Sequence, residues 1–288
     1  SNLVVSSTRF VPVLDQRNTP STGLGGKIEV RPPVGAAHTL RLGVDYRRAS
    51  GELQENPISA FTGQITARRR AGGVTSDLGF FVEDDWEVGQ LVLTGGVRAD
   101  RTVIADGFYR ETTPTGAVTT DTAFADRSDW TLTWRGGALF RATPALDLRA
   151  AAYSGLRVPT LNELYRPFVV FPVVTEANAD LANEELRGFE AGLDWRPVAG
   201  IAFSLTAFDN RLENAIANVT IAPNLRQRRN LPAIETRGIE AGLRVQRGPI
   251  RFDGSVSYSD PRIEGEGASQ SLDGNRPPQS PRWMAAAS

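Results

Sequence analysis

Along most of the chain, apolar and polar residues alternate with a period of two, the pattern of a β-strand with one apolar face. Leu91, Leu93, Gly95 and Val97 alternate with Thr94, Gly96, Arg98 and Asp100. Ile201, Phe203, Leu205 and Ala207 alternate with Ser204, Thr206 and Asn210. The same holds for Leu40–Arg47, for Gly188–Arg196 and for Ile239–Gln246. The apolar face is nearly free of charge, while the opposite face carries both signs. The pattern predicts about eleven or twelve strands, many of ten residues or more, against a usual soluble length of about five or six.

The connections sort into two sets. Tight turns are predicted near residues 32–37, 88–90, 142–145, 196–200 and 247–249. Long connections are predicted over 49–73, 104–128, 155–185, 217–234 and 261–281. Short and long alternate strictly, so an up-and-down topology puts all tight turns on one rim and all long loops on the other. That is the pattern of an outer-membrane barrel. A compact soluble domain rarely carries five loops of about twenty residues. A one-residue slip would turn Arg98, Arg149 or Arg244 onto lipid, at roughly 2–4 kcal/mol for a midplane arginine. Trp86, Trp130, Trp134, Tyr153, Trp195, Tyr258 and Trp283 lie near the predicted strand ends, where interfacial aromatic girdles form.

Composition narrows the chemistry. The 288 residues carry a net charge of −1, which gives no electrostatic footprint for nucleic acid. There is no cysteine, hence no disulfide and no thiolate site, and the single histidine, His38, excludes a multi-histidine metal site. No apolar run approaches the eighteen or so residues of a spanning helix. The mean hydropathy of −0.26 does not separate a soluble chain from a barrel, whose strands show lipid only every second side chain. No signal peptide is visible at Ser1, so the chain is expected to start downstream of any export signal.

Four stretches carry a family likeness. Tyr153–Tyr165, YSGLRVPTLNELY, resembles the aromatic-x-x-x-Arg-x-Pro-(Thr/Ser/Asn)-Leu-x-Glu-Leu-Tyr signature of TonB-dependent outer-membrane receptors. It places Arg157, Pro159, Leu161, Glu163, Leu164 and Tyr165 on signature positions. Asn178–Leu193 resembles a second family segment, with Ala179 and Asn183 where prolines are usual. Asn230–Leu243, which contains Gly238 and Glu240, resembles a third, with Pro232 in place of a glycine. Phe81–Asp100 resembles the hairpin that carries Glu-Asp-x-Trp and Gly-x-Arg-x-Asp elements. The likeness covers roughly residues 78–281, and the first 75 or so residues fit by strand pattern alone.

The resemblance implies an all-β, antiparallel up-and-down transmembrane β-barrel of about 22 strands. The chain, residues 1–288, then supplies about half of it, with no plug domain and without the closing hairpins. Such a piece is expected to leave two sheet edges unpaired. The implied role is import of a scarce, bulky nutrient across the bacterial outer membrane, in the first place a ferric siderophore. Cobalamin, haem or a saccharide are alternatives within the family. The implied partners are the TonB energy-transducing complex, reached through the absent plug, outer-membrane lipid and a small-molecule ligand such as a metal chelate. No cofactor and no nucleic acid are implied. A passive porin and a barrel enzyme are the competing classes.

Candidate ligand contacts lie in the long connections. Arg68, Arg69 and Arg70 form one basic run, and Arg226, Arg228 and Arg229 another. The planar guanidinium fork suits the carboxylates or catecholates of an anionic chelate. Phe168 and Phe171 bracket an apolar patch suited to lining a small-molecule site. The bland alternatives are solvated loops, anionic outer-leaflet lipid and self-packing. Asp121, Asp126 and Asp129 lack the spacing of a calcium loop, so no metal site is expected. His38 lies by a tight turn, away from Ser50 and Ser59, so no hydrolytic site is expected either.

Overall fold

The computed structural model describes residues 2–6 and 9–288, with side chains from residue 11 onward. The first strands are β1 (Asn2–Ser6), β2 (Arg9–Asn18), β3 (Ser21–Val30), β4 (His38–Pro57), β5 (Arg68–Val88) and β6 (Leu91–Thr112). Then come β7 (Val118–Ala123), β8 (Arg127–Thr143), β9 (Leu146–Arg157), the short helix α1 (Leu161–Tyr165), β10 (Phe168–Val170) and β11 (Val173–Glu176). The remainder comprises β12 (Glu184–Val198), β13 (Ile201–Glu213), β14 (Ile216–Ala222), β15 (Leu225–Asn230), β16 (Ala233–Arg247), β17 (Ile250–Glu264), a 3-10 turn (Gly267–Leu272) and β18 (Trp283–Ala287).

Fourteen strands make one antiparallel wall in the order β1-β2-β4-β5-β6-β8-β9-β12-β13-β16-β17-β18. β3 pairs with the lower part of β4 and β7 with the upper part of β6. The sheet is open, as expected of part of a larger barrel. The remaining four strands form a separate small sheet, β10-β11-β15-β14, outside the wall. Tight turns join β5 to β6, β8 to β9, β12 to β13 and β16 to β17, and every long excursion leaves from the opposite rim. At the β12–β13 turn Gly200 has φ 82°, a left-handed conformation, and any Cβ would collide with the Gln246 carbonyl.

The register puts the predicted faces where the alternation requires. Leu42, Val82, Val97 and Trp134 form one cross-strand row, and Val44, Phe80, Ala99 and Leu132 the next, both on the exposed outer face. On the inner face, Arg98 hydrogen-bonds Asp45 at 2.6 and 3.0 Å and Asp100 at 2.8 Å. Arg41 joins Glu83 and Asp85, each at 2.5 Å. Arg149 donates to Asp194 at 3.2 Å. Inner-face charges are thus neutralised laterally, strand to strand, which lets a polar lumen lining coexist with an apolar exterior.

Two expectations are corrected. The connections predicted over 49–73 and 104–128 are largely strand: β4 runs on to Pro57, β5 begins at Arg68, and β6 continues to Thr112 with β7 beside it. At 20 to 22 residues these strands are about twice the nine to eleven that a bilayer needs, so they stand well above the membrane. There both faces meet water, and alternation fades. Tyr153 is the second case. It faces the lumen, where its hydroxyl donates to Asn210 Oδ1 at 3.1 Å, and so does not belong to an outer aromatic girdle.

Candidate functional site

The long-loop rim is organised by the signature segment. Pro159 offers no N–H to the ladder, and β9 ends two residues earlier at Arg157. Thr160 then caps α1 through a reciprocal capping box. The Thr160 amide donates to Glu163 Oε2 at 2.8 Å, and the Glu163 amide donates to Thr160 Oγ1 at 3.3 Å. Arg157 grips Glu163 with two hydrogen bonds of 3.0 and 3.2 Å and also donates to the buried Glu184. Burial works to raise the Glu163 carboxyl. The hydrogen bonds from Arg157 and Thr160 outweigh it and hold the group below the ordinary glutamate range.

These contacts turn the chain inward. α1 follows β9 and lies back on the inner face of β5 and β6 as a strap. Leu164 and Tyr165 are buried with Ala71, Ile104 and Leu181, and the Tyr165 ring stacks on Phe124 at 4.8 Å. The wall is smooth beneath the strap. Leu161 and Tyr165 reach to within 3.2 Å of where a Cβ on Gly73 would stand, and the Tyr165 ring fills that space at Gly107. At the far side Arg166 donates to Glu55, which is 4% exposed. A groove of about 920 Å³ opens between residues 158–162 and the wall of β3 to β6, with Arg47, Asp77 and Thr102 in its lining.

A second layer sits on the strap. β14 and β15 form a hairpin, β15 pairs in parallel with β11, and β10 closes the edge. Arg228 on β15 is buried and donates to the carbonyls of Asn162 and, at 2.8 Å, Arg166. Its guanidinium lies over the Phe168 ring at 5.1 Å. Burial pushes the guanidinium below its ordinary value, with Glu163 opposing that shift. Asn230 receives the Ala182 amide at 2.9 Å and donates to Asn214 O at 2.6 Å. Asn178 donates to Arg228 O at 3.0 Å. The three signature segments therefore meet in one interlocked rim.

The candidate ligand contacts divide by environment. Arg69 donates to Glu111 at 2.5 Å, and Arg70 holds Glu52 with two bonds of 2.7 Å. Arg228 and Phe168 are spent on the strap. Arg68 and Arg226 are exposed, and Arg229 is half-buried with its Nε on Gln227. Phe171 stands 81% exposed at the tip of the β10–β11 hairpin, next to Val170 at 68%. Of the remaining signature positions, Gly238 lies beneath the Phe208 ring and Glu240 is exposed on the inner face. Glu55, Arg166, Glu184 and Asn230 hold the rim and were not singled out as site residues. Of these only Asn230 and Glu184 lie in signature segments.

His38 sits on the outer face by the opposite rim, bonded to Asp84 Oδ2 at 2.7 Å and stacked on Trp86. Among the described residues no group of three His, Asp or Glu side chains is placed to hold a metal ion.

The model for the β-barrel of TonB-dependent receptor-like proteins matches residues 3–288. The chain belongs to the TonB-dependent receptor family. As in other members, its wall is an outer-membrane β-barrel wall, here an open part of one. Solved structures agree in fold. The ferric yersiniabactin uptake receptor FyuA from Yersinia pestis superposes with a TM-score of 0.70 at 14% identity, covering 94% of this chain and 40% of that one. The copper transporter OprC gives 0.66 at 18%, over 93% and 40%. The FrpB iron transporter from Neisseria meningitidis gives 0.59 at 19%, over 85% and 36%. The chain thus spans about two fifths of the length of these receptors. No curated protein sequence matches it.

Proposed function

We propose that the wall, taken as a single unit over residues 1–288, belongs to a receptor that imports a ferric siderophore and is not an enzyme. The observation that carries this reading is the rim: a strapped, interlocked loop layer over the lumen mouth that leaves Arg68, Arg226 and Arg229 and the apolar tip Val170–Phe171 available. A chelate that combines anionic oxygens with an aromatic or apolar frame suits such a surface. FyuA and FrpB, both iron-related by name, share the fold, which supports the reading. In this reading Arg69, Arg228 and Phe168 support the contact surface from beneath, while Arg70 is held by Glu52 on the outer face. In this reading the ligand shifts a plug and the TonB complex supplies the energy through it.

Cobalamin, haem and saccharide uptake would use the same rim with other contacts. The test is uptake of radiolabelled ferric chelate by cells that carry the full-length receptor. Import should require both the receptor and the energising complex. Import that persists at the same rate without the complex would point to a porin, which would also conduct openly in planar bilayers.

A further inference from the structure

The outer face above the apolar band is not uniform in charge. Six outward arginines stand at about the same height, each roughly ten residues from the tight-turn rim. At ~3.3 Å per residue and a tilt near 40°, that is about 25 Å, the upper limit of the apolar band. Four of them lie on β12 to β17 and are neutralised by acids on the same face. Arg187 meets Glu213 at 3.5 Å and Arg211 meets Glu235 at 2.7 Å. Arg237 meets Asp209 at 2.9 Å and Arg262 meets Asp260 at 3.2 Å.

The other two, Arg48 on β4 and Arg101 on β6, are exposed and have no such partner among the described residues. The cross-strand neighbours of Arg48 are Leu24 and Ser76, and those of Arg101 are Leu78 and Trp130. None is acidic. Ladder spacing puts the two arginines on the order of 10 Å apart, diagonally across β5. Small Ser76 lies between them, and Tyr46 and Trp130 flank them one row below and alongside. Directly beneath run the apolar rows of Val44, Phe80, Ala99 and Leu132.

We propose that Arg48 and Arg101 seat the phosphate of an anionic outer-leaflet lipid whose acyl chains lie on the apolar rows below. Guanidinium groups left uncompensated beside hydrocarbon are costly, and a headgroup phosphate supplies the missing charge at that height. The proposal rests on the membrane placement of the wall and is independent of which nutrient is imported.

The test is native mass spectrometry of the detergent-purified full-length receptor, titrated with phosphatidylglycerol, phosphatidylcholine or inorganic phosphate. The unsubstituted receptor should retain phosphatidylglycerol at least about fivefold better than phosphatidylcholine. The Arg48→Gln/Arg101→Gln double variant should lose that preference, while Arg48→Lys/Arg101→Lys keeps most of it and Arg237→Gln keeps all of it. Undiminished preference in the glutamine variant overturns the proposal. So does full displacement of the lipid by inorganic phosphate, which would make this a free-anion site.

Discussion

The strap makes a sharp prediction at Tyr165. The residue is 3% exposed, and its ring stacks on Phe124 and covers Gly107, so Tyr165→Ala removes the largest side chain that binds α1 to the wall. Truncating a buried aromatic costs about 3–5 kcal/mol, and the stacking is worth roughly 0.5–1.5 kcal/mol beyond buried area. Leu161 and Leu164 still pack on β5 and β6, and the strand ladder of the wall is untouched, so the loss should appear as local opening rather than as unfolding of the wall. At about 1.4 kcal/mol per tenfold, 3 kcal/mol corresponds to roughly a hundredfold faster amide exchange. The reporters are the α1 amides of Leu164 and Arg166, bonded to Thr160 O and Asn162 O, and the Asn178 amide, bonded to Glu163 O. Hydrogen exchange followed by mass spectrometry on the full-length receptor reads them directly. Lower-strand peptides from β5 and β6 should not change. Phe171→Ala, at the exposed tip, should leave α1 untouched. Gly107→Val, which forces the ring off its seat without deleting it, should reproduce the effect. Unchanged α1 protection in both Tyr165→Ala and Gly107→Val would refute the strap as a packed element.

Other expectations follow from the same geometry. Glu163 has a lowered pKa in the folded rim, so its contribution is complete above the ordinary glutamate range and is lost as pH falls through the folded value. Protection of the α1 amides, measured relative to their intrinsic exchange rate at each pH, should therefore fall as pH drops through the folded Glu163 value, and Glu163→Gln should flatten that dependence. Ile239→Arg places a charge on the outer face of β16 and should cost roughly 2–4 kcal/mol of stability in refolding into lipid vesicles, whereas Glu240→Arg, one residue away on the lumen side, should cost little. Arg226→Ala should weaken ferric-chelate binding by about tenfold in equilibrium dialysis with no change in α1 exchange; equal affinity would remove Arg226 from the contact surface.

The wall was legible in the sequence because a membrane barrel writes its two environments into alternate residues. The phase of Leu91–Asp100, Ile201–Asn210 and Ile239–Gln246 is the phase found in the structure. Strand length was less legible. Above the membrane the alternation dissolves into runs such as Glu52-Leu-Gln-Glu55, where water meets both faces, and strand then looks like loop. The rim was legible in part. Thr160-x-x-Glu163 is a capping box and Pro159 a strand stop, and both act locally. The contacts that make the rim rigid are not local. Glu55 and Arg166 lie 111 positions apart, and nothing in either neighbourhood announces the other. The basic run Arg226–Arg229 also hid a division of labour. Arg228 is buried and holds the strap, while Arg226, two residues earlier, stays in solvent because the end of its hairpin lies free of the strap.

The assignment of faces to lipid and lumen is the central claim, and a scan across one strand tests it most directly. The chain contains no cysteine, so single cysteines are readily introduced along Gly238–Val245 of β16. Each would carry a fluorophore in the full-length receptor reconstituted into vesicles that contain a quencher-bearing lipid. Quenching should alternate, strong at positions 239, 241, 243 and 245 and weak at 238, 240, 242 and 244. Quenching of opposite phase, or of equal strength at all eight positions, would contradict the membrane wall described here.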